Sequence, residues 1–340
     1  MSGFRKFNSI KEVVLQKYLD RVYREGYGDE VFVVLEKYHG ANFGVIVDDQ
    51  GVRCQSRELL LEEDASFYDY EHILERDREK FKQVFDFFKS SFQGVNSIIL
   101  YGELVGGVYD HPEYNKKIRD NIIQHEVHYA PDTDCVFFDI FIRGDREHYL
   151  NHLDVVTMIN SYELKYSEVL FEGSLKDCLE FSAKTNGDPS LGFKKWGLPE
   201  IADNIREGNV IKPLKSLFFK DGRRIIFKDK NDKFRETLAR KKPDLGATER
   251  SKEARELIKD FVTEARLKSV LSKHSRFSQK DFGKLMGLYM KDVIEDFRDH
   301  YPDVFSDTSK KERSSITKHA TGLAQRLIMS SFAKIVDGTY

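Results

Sequence analysis

Several lysines and acids of this chain stand inside or at the ends of apolar runs, where a charge is costly unless it is paired or bound to something. The run VFVVLEKYHGANFGVIV, residues 31–47, brings Lys37 out at the end of one buried strand, passes His39 and Gly40, and enters another. LYGELVG places Glu103 in mid-strand, CVFFDIFI places Asp139 in a strongly apolar strand, and EGNVIKP supplies Glu207, Gly208 and Lys212. RRIIFKDK sets Lys228 and Lys230 two apart, on one face of a strand. By the same alternation Lys37 shares a face with Val33, Leu35 and His39, Glu36 points the other way, and Phe138 lies opposite Asp139. Gly40 permits a tight turn or a close approach by a ligand. Each charge taken singly fits a structural ion pair or a charged strand end. The ordered set, on strands expected to share one sheet, argues against that account.

The elements that must position these residues follow from periodicity. Strands are expected over 31–37, 43–47, 52–56, 97–105, 133–142, 209–212 and 223–230, with turns such as Asp49-Gln50-Gly51 and Asp221-Gly222 between neighbours. Residues 71–92 and 146–162 read as helical. From about Thr248 onward no strong strand pattern remains, and Ser278 with Asp281 forms a helix start. Phe282, Leu285, Met286, Tyr289, Met290, Val293, Ile294 and Phe297 then make one apolar helical stripe. The fold class is therefore α+β, followed by an all-helical part, with 1–237 as the first domain, 238–247 as linker and 248–340 as the second.

Of 340 residues, 40% are hydrophobic and 33% charged, a globular balance. No apolar run approaches the ~20 residues of a membrane span, so no membrane association is expected. The start, MSGFRKFNSIKEVV, lacks a signal core, and Cys54, Cys135 and Cys178 show no disulfide or metal spacing; a reducing, cytoplasmic compartment is expected. The net charge of −2 does not by itself indicate a nucleic-acid partner, but residues 206–242 hold 13 Lys/Arg against 5 Asp/Glu. Such a run is either a solvated face or a phosphate-binding one. Asp281-Phe282-Gly283 matches a kinase tripeptide, yet no catalytic loop or Gly-rich loop accompanies it, so a helix start is the better account. No P-loop occurs, and His148 and His152, read as surface residues of a helix, lack the glutamate of a zincin.

In this order the motifs closely resemble those of the covalent nucleotidyltransferase superfamily, the ATP-dependent ligases and capping enzymes. Lys37-Tyr38-His39-Gly40 matches the nucleophile motif, Phe138-Asp139 the third, Glu207 to Lys212 the fourth, and Lys228-Asp229-Lys230 the fifth. EKYHGANF, with His39 in place of the aspartate of DNA ligases and capping enzymes, looks like the phage-type RNA ligase 2 family of double-strand-sealing RNA ligases, to which trypanosome RNA-editing ligases belong. FVTEARLKSVLSK and KDFGKLMGL resemble its helical C-terminal domain. The resemblance implies a nucleotidyltransferase domain of the ATP-grasp-like ligase type, built of antiparallel sheets with flanking helices.

It also implies roles. Lys37 would attack the α-phosphate of ATP to give lysyl-AMP. A free lysine is almost wholly protonated near neutral pH, and Lys228, Lys230 and a magnesium ion would favour its neutral, nucleophilic form. Lys228 and Lys230 would contact the α-phosphate, and Arg57 the ribose or a substrate phosphate. Phe138 would stack on adenine and Glu36 help read it. Glu103 would hold the ribose and, with Glu207, orient the waters of Mg2+ (or Mn2+), and Asn42 would support this metal or a phosphate. Tyr38, His39 and Lys212 complete the nucleotide site, and Asp139 would position a motif lysine. The implied substrate is RNA with 3′-OH and 5′-phosphate ends at a duplex nick, acted on by a monomer. A DNA ligase or capping enzyme would carry Asp in place of His39 and a β-barrel module after Lys230. A non-catalytic RNA-end-binding protein would have no need of the lysine set.

Overall fold

The structure is a computed structural model that describes residues 3–62, 67–114, 122–235, 250–274, 276–302, 304 and 308–340. The chain divides into two compact units, Met1–Lys233 and Phe234–Tyr340. The expected linker, 238–247, lies outside the described residues.

The first unit holds two five-stranded sheets. One runs in the order β1 (Lys11–Glu12), β10 (Phe227–Lys230), β9 (Gly208–Pro213), β2 (Phe32–Glu36), β8 (Val169–Gly173). The other runs β4 (Gly51–Ser56), β3 (Ala41–Asp48), β5 (Val95–Val105), β6 (Asp134–Gly144), β7 (His148–Tyr149). Every pairing is antiparallel except β1 with β10, which is parallel.

Every residue of β2 is buried, which explains its unbroken apolar run. Helices α1 (Gln16–Arg24) and α4 (Leu175–Thr185) pack Leu19, Val22 and Leu175 against Phe32, Val34 and Ile211. Helix α2 (Glu71–Ser91) lays Ile73, Phe81, Val84 and Phe88 on Phe43, Val45 and Leu100 of the other sheet. A further cluster joins Ile46, Ile99, Tyr101 and Phe141 of that sheet to Val210 and Ile226. The space between the two sheets is thus partly apolar and partly where the inward charges meet.

Several expectations are corrected. The charged strands do not share one sheet: Glu103 and Asp139 stand on β5 and β6, whereas Lys212, Lys228 and Lys230 stand on β9 and β10 of the other. β10 begins only at Phe227, because the Gly222 turn (φ +80°) and an inward Arg224 occupy the preceding residues. Residues 146–162 are not one helix: His148 and Tyr149 pair with β6, and α3 (His152–Ser161) starts after Asn151. α1, α4 and β8 were not expected. α1 offers only two turns of stripe, and β8 is an edge strand without a buried alternation. α4 is capped by Ser174, whose hydroxyl accepts from the Asp177 amide at 3.2 Å.

His152 is not a surface residue. It is 3% exposed, its Nδ1 shares a hydrogen bond of 3.0 Å with the Tyr166 hydroxyl, and its Nε2 is buried without a partner. Burial, aided by the Lys212 cation, lowers its pKa to about 4. The unfolded chain therefore takes up a proton below the ordinary value of 6.5 that the folded chain refuses until about pH 4. Stability contributed by neutral His152 is complete above that ordinary value and is lost as pH falls towards 4. Between neutral pH and pH 5 this costs about 2 kcal/mol. Urea unfolding should show that difference in the native chain and a correspondingly flatter pH dependence in His152→Gln.

Among the described residues the second unit is wholly helical: α5 (Arg250–Lys259), α6 (Glu264–Leu271), α7 (Phe282–His300) and α8 (Lys310–Asp337). The Ser278/Asp281 capping box precedes α7, and Leu285, Tyr289, Val293 and Phe297 of the expected stripe are fully buried. Arg266, 1% exposed, is satisfied by Asp292, Asp296 and the Phe261 carbonyl. Among the described residues, no helix is long and apolar enough to cross a membrane.

Candidate active site

Residues 37–40 form the crossover from β2 in one sheet to β3 in the other. Gly40 is required there, since a Cβ would lie 1.9 Å from the Leu104 carbonyl oxygen. The Lys37 amide donates to the Gly208 carbonyl at 2.9 Å, which fixes the nucleophile segment against the start of β9. Gly208 is itself at φ +145°, with its missing Cβ 2.0 Å from the Asp229 carbonyl oxygen, so only glycine lets β9 and β10 close around this point.

Around these two glycines Lys37, His39, Glu207, Lys230 and Glu126 come together. Lys37 Nζ donates to Glu207 Oε2 at 2.5 Å, and Lys230 Nζ lies 2.9 Å from Glu207 Oε1. His39 Nδ1 lies 3.3 Å from Glu207 Oε2, and its Nε2 lies 3.5 Å from Glu126 Oε2. Burial alone would raise the Glu207 pKa, but Lys230, Lys37 and His39 outweigh it and hold the carboxyl well below its usual range. His39 is held the opposite way: burial disfavours its charge, yet Glu207 and Glu126 raise its pKa. Glu207 is therefore the hub through which Lys230 and His39 reach Lys37.

Across β3 and β5, Asn42 stands opposite Glu103. Burial, partly offset by the Lys37 cation, raises Glu103 to about 7. Asn42 Oδ1 is buried with no hydrogen-bond partner. Among the described residues no cluster of three or more His, Cys, Asp or Glu could by itself hold a metal ion. A magnesium-type ion needs less from the protein, one or two carboxylates with phosphate and water supplying the rest. The raised Glu103 carboxyl and the orphaned Asn42 oxygen fit that donor set, while both oxygens of Glu207 already face cations.

Phe138 and Asp139 depart from strand alternation. Tyr101 pairs with Asp139 and Gly102 with Phe137, leaving Phe138 bulged between them. Phe138 packs its ring edge-on to Phe7 at 5.2 Å. Asp139 is fully buried and receives two hydrogen bonds from Arg224, at 2.7 and 2.9 Å. Arg224 also lies 5.9 Å from the Phe7 ring centroid, so Phe138 and Asp139 reach one neighbourhood instead of opposite faces. Lys212 Nζ donates to the Phe138 carbonyl at 2.9 Å and lies 3.4 Å from Asp139. It contacts these groups and not the Lys37–Glu207 centre.

The remaining expected residues are spread around this centre. Glu36 accepts from the Ser190 hydroxyl at 2.5 Å and the Leu191 amide at 2.9 Å, on the side away from Lys37. Tyr38 is buried against the Tyr129 ring at 4.9 Å, and the Tyr129 hydroxyl accepts from the His39 amide at 2.9 Å. Arg57 Nε is 4.0 Å from Glu58, and its charge also reaches Glu103. Lys228 Nζ is 3.4 Å from Glu12 Oε1. Sequence reasoning missed Glu12, Glu126, Tyr129 and Arg224. Only Arg224 carried a signal, as part of the basic run, and nothing there distinguished it from a solvated cation.

Residues 30–230 match the family described as RNA ligase, and residues 245–326 match T4 RNA ligase 2 C-terminal. The chain belongs to the RNA ligase family. Within this family it is 26% identical over 220 residues to RNA-editing ligase 1, mitochondrial, of Trypanosoma brucei brucei, covering 57% of this chain and 47% of that protein. The chain thus spans about half the length of that relative. RNA-editing ligase 2, mitochondrial, of the same organism is 23% identical over 367 aligned positions, covering 92% of this chain and 87% of the relative. A solved Naegleria gruberi RNA ligase with PPi is similar at 20% identity and TM-score 0.46, covering 69% of this chain and 58% of that one.

Proposed function

We propose that this protein is an ATP-dependent RNA ligase that joins 3′-OH to 5′-phosphate ends, at nicks in duplex RNA, through lysyl-AMP and RNA-adenylate intermediates. The observation that carries the reading is Lys37 Nζ held 2.5 Å from a buried Glu207 that Lys230 also engages. Membership of the RNA ligase family supports it.

In the first step the deprotonated Lys37 nitrogen bonds to the α-phosphorus of ATP as the bond to the pyrophosphate oxygen breaks. Glu207 orients Nζ for that attack. Lys228 and Lys230 counter the charge that develops on the transferring phosphate, since such chemistry depends chiefly on positioning and electrostatic stabilisation. AMP then passes to the RNA 5′-phosphate oxygen, freeing Lys37. Finally the 3′-hydroxyl oxygen attacks the activated phosphorus and AMP leaves. Phe138 and Glu36 would recognise adenine, Glu103 and Arg57 would hold the ribose and a phosphate, and Tyr38 packs the nucleophile segment. Lys212 and Asp139, with Arg224, fix the floor below them. Glu103, with Asn42, would hold a magnesium or manganese ion, which when bound supplies charge neutralisation to the phosphates; Glu207, expected beside them, faces Lys37, Lys230 and His39 instead.

The test is a 5′-labelled duplex RNA with one nick, incubated with magnesium and ATP or GTP. Sealed product with ATP is expected, with the same ends joined far more slowly when single-stranded. Absence of sealing, or preference for GTP, overturns the reading. Lys230→Ala should slow lysyl-AMP formation by at least ~100-fold, the scale of losing one transition-state donor, and should also lower the melting temperature, because it takes a cation away from the buried Glu207 carboxylate. Near-normal adenylation would return Lys230 to a structural role.

A further inference from the structure

The two lysines of β10 face the same way but meet different carboxylates. Lys230 meets Glu207 at the centre of the site. Lys228 meets Glu12, at 3.4 Å, with only 19% and 11% of the two side chains exposed. Glu12 belongs to the two-residue strand β1, which lies before residue 30, where the RNA ligase match begins.

That short strand is firmly placed. Glu12 pairs with Lys228 and Lys11 with Phe227 in parallel register. The Val13 amide donates to the Lys228 carbonyl at 3.1 Å, and the Lys11 amide to the Ile226 carbonyl at 3.3 Å. Immediately afterwards Leu15, Tyr18, Leu19 and Val22 are buried in the core with Phe32 and Phe227. The Glu12 carboxylate therefore stands on a rigid element beside the lysine, not on a loose terminus.

A lysine ammonium is a point charge on a flexible four-carbon stem with a large rotamer entropy to lose. A fixed carboxylate that holds the stem extended before the nucleotide arrives removes part of that cost from the reaction. We propose that Glu12 is a positioning residue that presets Lys228 for the phosphate, so that a segment outside the family match contributes to the site. The inference rests on the reading of Lys228 as a phosphate-contacting group.

The experiment is a double-mutant cycle on the full chain, measuring single-turnover lysyl-AMP formation in Glu12→Gln, Lys228→Ala and the double variant, with melting temperatures alongside. Glutamine keeps the shape and packing and removes the charge. Glu12→Gln should slow adenylation at saturating ATP by about tenfold, a coupling of ordinary size for a contacting pair, with KM for ATP nearly unchanged. In the Lys228→Ala background it should have no further effect. A native rate in Glu12→Gln while Lys228→Ala is slow overturns the role of Glu12 alone. Loss that persists in the Lys228→Ala background, together with a lowered melting temperature, makes Glu12 a folding residue and also overturns it. A native rate in Lys228→Ala overturns the reading of Lys228 on which the inference stands.

Discussion

Lys37→Ala should leave no protein-bound AMP when the chain is incubated with magnesium and α-labelled ATP and then denatured, while the native chain retains the label. Denaturation removes noncovalent nucleotide, so the retained label reports a bond to the protein. Of the lysines near Glu207, Lys37 alone sits at the crossover between the sheets, held by its own amide and by its Nζ. Lys230 is on a strand whose backbone is committed to pairing with β9. Lys37→Arg is the sharper control. It keeps a cation for the buried Glu207, so the fold is retained, but a guanidinium stays protonated and cannot supply the nucleophilic nitrogen. Both variants should therefore be unlabelled, and Lys37→Arg should melt closer to the native chain than Lys37→Ala, which leaves part of a buried carboxylate uncompensated. Peptide mapping that places AMP on another residue would falsify the assignment.

What the sequence disclosed depended on whether a residue's role was local. Strand alternation was enough to separate Lys37 from Glu36, and the structure does place their partners apart, on Glu207 and on Ser190. Ser278 and Asp281 announce α7 because a capping box is made within four residues. Alternation failed at Phe138, where a bulge inserts one residue, and a bulge of this kind leaves no mark in an apolar run. Arg224 and Glu12 were illegible for a different reason. Each meets a partner distant in sequence, Asp139 or Lys228, and such ion pairs have no spacing rule. His152 was misplaced because a histidine near a helix start reads as solvent-facing, whereas its burial depends on Tyr166 from a later segment. Lys37, Glu207 and Lys230 were found because they stand within or at the ends of apolar strands, and the meeting of both lysines at Glu207 emerged only from coordinates.

A chain ending at residue 237 should keep lysyl-AMP formation and lose nick sealing. Lys37, His39, Glu103, Glu207, Lys228 and Lys230 all lie in the first compact unit, which ends at Lys233, and so do the cores that hold its two sheets. The second unit has a core of its own, from Ala254 to Ile335, so removing it does not open the first core. Adenylation needs only a nucleotide-sized site. Sealing needs a duplex held across that site, and affinity for a duplex comes chiefly from many phosphate contacts. In the helical unit Lys268 and Lys284 are exposed on α6 and α7, and Lys273 is half-buried beside Asp292, so the unit offers cations that the first step does not use. The comparison is between rates of adduct formation and of nick closure, for full-length and shortened chains at the same salt. Sealing should fall far more than adenylation, and raising salt should weaken sealing by the full-length chain while leaving its adduct formation nearly unchanged, because the polyanion contacts alone release counterions. Equal loss of both activities would make the helical unit a folding partner of the first, and equal retention would make it dispensable for the RNA.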